Sequence, residues 1–250
     1  MKKIGQSRTP AMARRAHASI RVRLLDAFAL EIDGVPVDLP HGTQRLVAFL
    51  ALRPHALGRS FTAGSLWLDA TDDRAAANLR SALWRLRHRN SSIIVPAHGT
   101  LRLEANVWVD VHEASAAARR WLGGEATTSD VSGSGLLQAE LLPDWYDEWV
   151  VLERERFRQL RLHALEAMAE RLIDMGRVGD AFLAALAATT DDPLRESAQR
   201  ALIKVHLAEG NTGEAVRQLR RCEQLFEREL GMRPSPQLSR LVQEAALGAG

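Results

Sequence analysis

The stretch DDRAAANLRSALWRLRHR (Asp72–Arg89) decides the reading of this chain. It contains no Gly or Pro, opens on two aspartates that suit the cap of a helix N-terminus, and spaces its apolar residues at helical intervals. With residues placed at 100° each and Leu83 at zero, Ala76, Leu79 and Leu86 fall within about 60° of it and define a core stripe. The opposite face carries Arg74, Asn78, Ser81, Arg85 and His88, with Arg89 at its edge. Arg80 and Arg87 fall nearer the core side, where their stems can cover apolar surface while their heads reach phosphates. Trp84 lies about 100° from the stripe centre and is expected to pack against a neighbouring element.

A row of Arg, Asn and Ser suits the major groove, because Arg bonds guanine and Asn bonds adenine through two atoms each. A basic helix face turned to solvent is the common alternative, so context decides. Upstream, Ile20–Leu39 (IRVRLLDAFALEIDGVPVDL) alternates around an Asp33-Gly34 turn and predicts a small antiparallel meander. Thr43–Leu52 predicts a helix with Thr43 at its N-cap, and Thr62–Trp67 a second, brief one. Downstream, Ile93–Val95 and Leu101–Leu103 flank a His98-Gly99 turn and predict a β-hairpin. Sheet, three helices and hairpin make a winged helix, with Asp72–Arg89 in the recognition position. His98, Thr100 and Arg102, at or beside the hairpin tip, are placed to contact backbone or minor groove.

Beyond this region Val111–Leu122 reads as a helix, and GGEATTSDVSGSG (Gly123–Gly135) as the main flexible connection. Residues 144–175 contain no Pro or Gly and recur in apolar character near a 3.6 period. Met175–Ala181 (MGRVGDA) and Glu209–Ala215 (EGNTGEA) align Gly176 with Gly210, Gly179 with Gly213 and Ala181 with Ala215, each 34 positions apart. Helix, Gly-containing turn and small-residue helix at that spacing form the tetratricopeptide signature. The expected fold is mainly α with a small β component. It comprises a disordered basic tail over 1–18, a winged helix-turn-helix over 19–109 and an all-α, tetratricopeptide-like repeat domain over 110–250.

Charge follows the same division. Residues 1–123 carry 18 Lys/Arg against 10 Asp/Glu, whereas residues 124–250 carry 15 against 21. A polyanion partner therefore suits the first part only, although six of its positive charges lie in or beside the tail. The single cysteine, Cys222, allows neither an internal disulfide nor a thiolate metal cluster, and fits a reducing cytoplasm. No apolar run approaches the roughly 18 residues that span a bilayer. The sequence has no phosphate-cradling, dinucleotide, zinc-protease or nucleophile-elbow motif, so neither catalysis nor a cofactor or metal is expected.

SLWLDATDDRAAANLRSALWRLR (Ser65–Arg87) resembles the second and recognition helices of the Streptomyces antibiotic regulatory protein (SARP) family, which has an OmpR-type winged helix. LLPDWYDEWVVLERERFRQLRLHALE (Leu141–Glu166), DDPLRES (Asp191–Ser197) and ERELGMRPSPQL (Glu227–Leu238) resemble motifs of that family's bacterial transcriptional activator domain. The resemblance covers about residues 20–245 and implies an activator. Such a protein binds promoter direct repeats in double-stranded DNA, as a homodimer at least there, and touches RNA polymerase through a loop corresponding to Asp69–Asp73. With its end at Gly250, the chain is expected to be a minimal form without a receiver domain. The alternative is a tetratricopeptide-like scaffold or ligand sensor, in which the repeat domain binds a protein or an unidentified effector.

Overall fold

The computed structural model describes residues 19–87 and 93–248. The basic tail expected over 1–18 lies outside the described residues, as do His88 and Arg89. The described chain forms two compact units. One comprises Leu30–Val107 with the described residues up to Arg21; the other comprises Val22–Ala29 and the chain from Trp108 onward. Strand β1 (Ile20–Arg23) begins in the first unit and ends in the second.

In the first unit, β2 (Ala29–Ile32) and β3 (Val35–Pro36) form the expected hairpin, registered Glu31 to Pro36 and Ile32 to Val35. Its two-residue turn needs left-handed backbone at both positions, which Asp33 (φ 53°) and Gly34 (φ 79°) supply. The Asp33 carboxylate accepts the Ser19 amide at 2.8 Å. Helix α1 (His41–Ala51) follows, but Thr43 is not its cap. The helix starts two residues earlier, with the Pro40 carbonyl accepting the Thr43 and Gln44 amides, and Thr43 is buried in its first turn.

Strand β4 (Leu57–Gly58), which the sequence does not announce, leads into α2 (Arg59–Leu66) and α3 (Asp72–Arg87). Asp72 and Asp73 stand inside the first turn of α3, where they face the positive end of the helix dipole instead of capping it. Strands β5 (Ile94–Ala97) and β6 (Thr100–Leu103) pair antiparallel around His98-Gly99, again both left-handed. Strand β4 pairs on the far side of β6, giving the order β4-β6-β5. Leu46, Val47, Leu50, Leu66, Leu79, Leu86 and Leu101 close the core beneath the three helices. The unit is a winged helix-turn-helix.

The second unit gathers Val22–Ala29, β7 (Trp108–Val109), α4 (Asp110–Gly123), a 3-10 helix (Thr128–Gln138) and five further helices. These are α5 (Glu148–Asp174), α6 (Val178–Asp191), α7 (Glu196–Ala208), α8 (Thr212–Leu230) and α9 (Pro236–Gly248). The buried Asp110 carboxylate tethers the early segment, accepting the amides of Leu24 at 2.9 Å and Leu25 at 3.0 Å as well as that of Val111. The Leu25–Leu141 bridge and the Leu142 amide, given to Leu24, continue the attachment.

The Gly/Ser/Thr-rich stretch read as a flexible connection takes 3-10 structure inside this unit. Asp130 closes a capping box with Thr127 and pairs with Arg120 at 2.8 Å, and Arg177 donates to the Thr128 carbonyl.

The 34-residue repeat has a direct structural cause. Gly176 (φ 71°) and Gly210 (φ 75°) end α5 and α7 in left-handed backbone, which costs a residue with a Cβ about 1–2 kcal/mol. Ala181 and Ala215, one turn into α6 and α8, are fully buried where each pair of helices meets. The three motifs Leu141–Glu166, Asp191–Ser197 and Glu227–Leu238 are joined to one another. Glu166 of the first accepts Arg195 at 2.5 Å and Ser197 at 2.8 Å in the second. Glu196 in turn receives the Ser235 amide of the third at 2.9 Å.

Candidate nucleic-acid interface

Helix α3 buries Ala75, Leu79, Ala82 and Leu86, while Ala76 and Leu83 are half-buried. The stripe is thus centred about 70° away from Leu83. The periodicity of the sequence had centred it on Leu83. Packing instead favours the small Ala75 and Ala82, which let neighbouring helices approach closely. The rotation leaves Arg74, Asn78, Ser81 and Arg85 exposed, as expected, and exposes Arg80 too, which was placed nearer the core. It also overturns the expectation for Trp84, which is 60% exposed on the face away from the core. Arg87 ends the helix; its side chain lies outside the described residues.

The polar side chains differ in what they can still offer. The Ser81 hydroxyl donates to the Ala77 carbonyl at 3.1 Å, leaving its lone pairs for an incoming donor. In the hairpin, the Thr100 hydroxyl donates to the Ala97 carbonyl at 2.6 Å, which commits its proton to the turn. His98 (φ 47°) stands exposed at the tip, and Arg102 projects from β6 into solvent opposite Val95. Arg59, at the start of α2, lines a groove of about 520 Å³ with Asp72, Asp73 and Arg80. Arg59 was not singled out from the sequence, where this helix was expected to begin only at Thr62.

The arginines of the second unit are disposed differently. Arg161 is 5% exposed and donates to the Gln138 and Ala139 carbonyls at 3.1 and 3.2 Å and to Asp191. Arg154 donates to the carbonyls of Leu141 (2.8 Å), Trp145 (2.7 Å) and Leu142. Arg158 pairs with Asp191 at 3.2 Å and Asp192 at 3.0 Å, at the negative end of α6. These groups line a cavity of about 220 Å³ and are engaged in tying the 138–145 segment and α6 to α5. Burial, with help from Glu196 and Glu223, pushes the Cys222 thiol up to about 11, so it stays protonated and unreactive at neutral pH. Among the described residues, no three His, Cys, Asp or Glu side chains converge as a metal site, and no helix is long and apolar enough to cross a membrane.

Comparison with known proteins agrees with this architecture. The solved structure of Mycobacterium tuberculosis EmbR in complex with low affinity phosphopeptide is similar with a TM-score of 0.77 at 22% identity. The match covers 93% of this chain but only 66% of that one, and at this identity it speaks for the fold. No curated protein matches the chain. A family model described as the bacterial transcriptional activator domain matches residues 97–245, from the wing to the last helix. Matched over more than half its length, the chain belongs to the bacterial transcriptional activator domain family, as its motifs at Leu141–Glu166, Asp191–Ser197 and Glu227–Leu238 led one to expect.

Proposed function

We propose that this chain is a sequence-specific, DNA-binding activator of transcription that works without catalysis in the cytoplasm. The observation that carries the reading is the exposed row Arg74, Asn78, Arg80, Ser81 and Arg85 on α3, between α2 and the β5–β6 hairpin. In this reading α3 enters the major groove, with Asn78 and Arg85 reading base edges and Arg74 and Arg80 holding phosphates. Arg87, His88 and Arg89, next in the sequence, are assigned to the same contact with DNA. His98 and Arg102 on the wing contact the adjoining backbone or minor groove, and Thr100 supports the turn that presents them.

The division of labour follows residues 19–109 for DNA and 110–250 for regulation. The segment Asp69–Asp73, which runs from the α2–α3 loop into the first turn of α3, is the surface offered to RNA polymerase, and two protomers occupy direct repeats on the duplex. The test is fluorescence anisotropy of the full chain with duplexes drawn from a random pool. Tight binding to a selected sequence is expected, with log affinity falling linearly in log salt. Weak binding that ignores sequence at physiological salt contradicts the reading.

A second reading, as a scaffold or ligand sensor, is favoured by Leu183 and Leu186, which stand exposed on α6 beside a groove shared with Gln138, Arg161 and Leu165. Substituting both leucines with Ser leaves DNA binding unchanged under either reading. Only under the second does it abolish capture of a partner or effector.

A further inference from the structure

We propose that Trp84 adds base preference to α3 by seating its indole against the C5-methyl group of a thymine in the major groove. The inference rests on the reading of α3 as a recognition helix. The buried residues Ala75, Leu79, Ala82 and Leu86 fix the direction of the core, and Trp84 projects about 170° from it. It therefore stands at the pole of the exposed face, not at its margin. An indole 60% exposed presents a large apolar surface to solvent in the middle of a polar face.

The surroundings select the kind of partner. One turn before Trp84 stand Arg80 and Ser81, next to it stands Arg85, and all three are exposed. Farther along the same helix is Arg74, also exposed. The acidic pair Asp72 and Asp73 sits in the first turn, about 17 Å along the helix axis. The near field is positive, so a second copy of this face is repelled and a polyanion is drawn in.

The geometry then selects the contact. A side chain on a helix in the major groove meets base edges, because the faces remain stacked within the duplex. Among those edges the thymine C5-methyl is the one apolar group, and an aromatic side chain is a suitable partner for it. Arg80 and Arg85, on either side, hold the helix close enough for the indole to reach it.

The experiment uses the full chain and the duplex it selects from a random pool. Each thymine of that site is replaced in turn by deoxyuridine, which removes the methyl group and leaves every hydrogen-bonding atom in place. The wild type is expected to lose about fourfold in affinity at one thymine per half-site, the factor for burial of one methyl group. Trp84→Ala is expected to be indifferent to that replacement while keeping its discrimination elsewhere in the site, and Trp84→Phe to retain most of the sensitivity. Because Trp84 is exposed, the variants are expected to match the wild type in circular dichroism and melting temperature. Equal deoxyuridine sensitivity in wild type and Trp84→Ala overturns the proposal, as does a wild type indifferent to every thymine. A change in oligomeric state without a change in base preference overturns it in favour of a protein contact. A pool that yields no preferred site overturns instead the reading of α3 on which the proposal rests.

Discussion

Helices α3 and α5 are both rich in arginine, yet three arginines on each meet opposite fates. On α3, Arg74, Arg80 and Arg85 are exposed, around a helix whose buried stripe is narrow and rich in alanine. On α5, Arg154, Arg158 and Arg161 turn inward and are satisfied by carbonyls and carboxylates of the 138–145 segment and α6. The difference teaches that arginine content alone does not mark a nucleic-acid surface. What marks it is whether the charge is already answered within the fold. Guanidinium groups engaged by carbonyls and carboxylates, as at Arg154, Arg158 and Arg161, hold structure together.

The sharpest way to break this contrast is Arg161→Ala. It leaves Asp191 without its closest cation and two carbonyls without donors, so a loss of about 3–5 kcal/mol is expected in urea unfolding of the second unit. Arg85→Ala is expected to shift that curve by no more than about 0.5 kcal/mol. Its effect belongs to DNA instead: Arg85→Ala and Asn78→Ala should each remove about 1–3 kcal/mol of base discrimination, read by competition between selected and scrambled duplexes. Arg102→Ala should weaken all duplexes alike and reduce the salt slope by about one. If Arg85→Ala unfolds the protein, or Arg161→Ala leaves its stability untouched, the contrast is wrong.

Smaller effects sharpen it. Gly176→Ala and Gly210→Ala should each cost about 1 kcal/mol, read as a lower melting temperature, because both positions are left-handed. Asp110 supplies a pH dependence. Burial raises its carboxyl above the ordinary 3.8, overcoming the amides of Leu25, Leu24 and Val111, which act to lower it. The folded state therefore keeps this proton over an interval in which the unfolded chain has lost it. Stability from this group is fully present below 3.8 and is lost as pH rises through the folded-state value. Urea midpoints measured upward from pH 3.8 should fall for the wild type relative to Asp110→Asn. A flat difference contradicts the assignment.

Much of this was legible in the sequence because local rules governed it. The α3 pattern, the His98-Gly99 hairpin and the 34-residue repeat all follow from periodicity and from backbone that glycine accepts readily. The parts that were not legible depend on contacts distant in sequence. Nothing near Leu24 announces that Asp110, 86 residues later, will hold its amide, or that Val22–Ala29 will join the helical unit. The two-residue strand β4 carries too little pattern to be seen without β6 beside it. The exposure of Trp84 was missed for a related reason: which stripe of α3 is buried was settled by how closely its neighbours approach Ala75 and Ala82.

The central claim is that the exposed arginines of α3 read DNA whereas those of α5 do not. Its most direct test is to select a duplex with the full wild-type chain and measure affinity and sequence preference for Arg85→Ala and Arg158→Ala side by side. The account predicts at least about tenfold loss of preference for Arg85→Ala. It also predicts that Arg158→Ala, compared at a temperature where it is fully folded, keeps the wild-type preference. Equal losses in the two variants, or an unchanged preference in Arg85→Ala, contradict it.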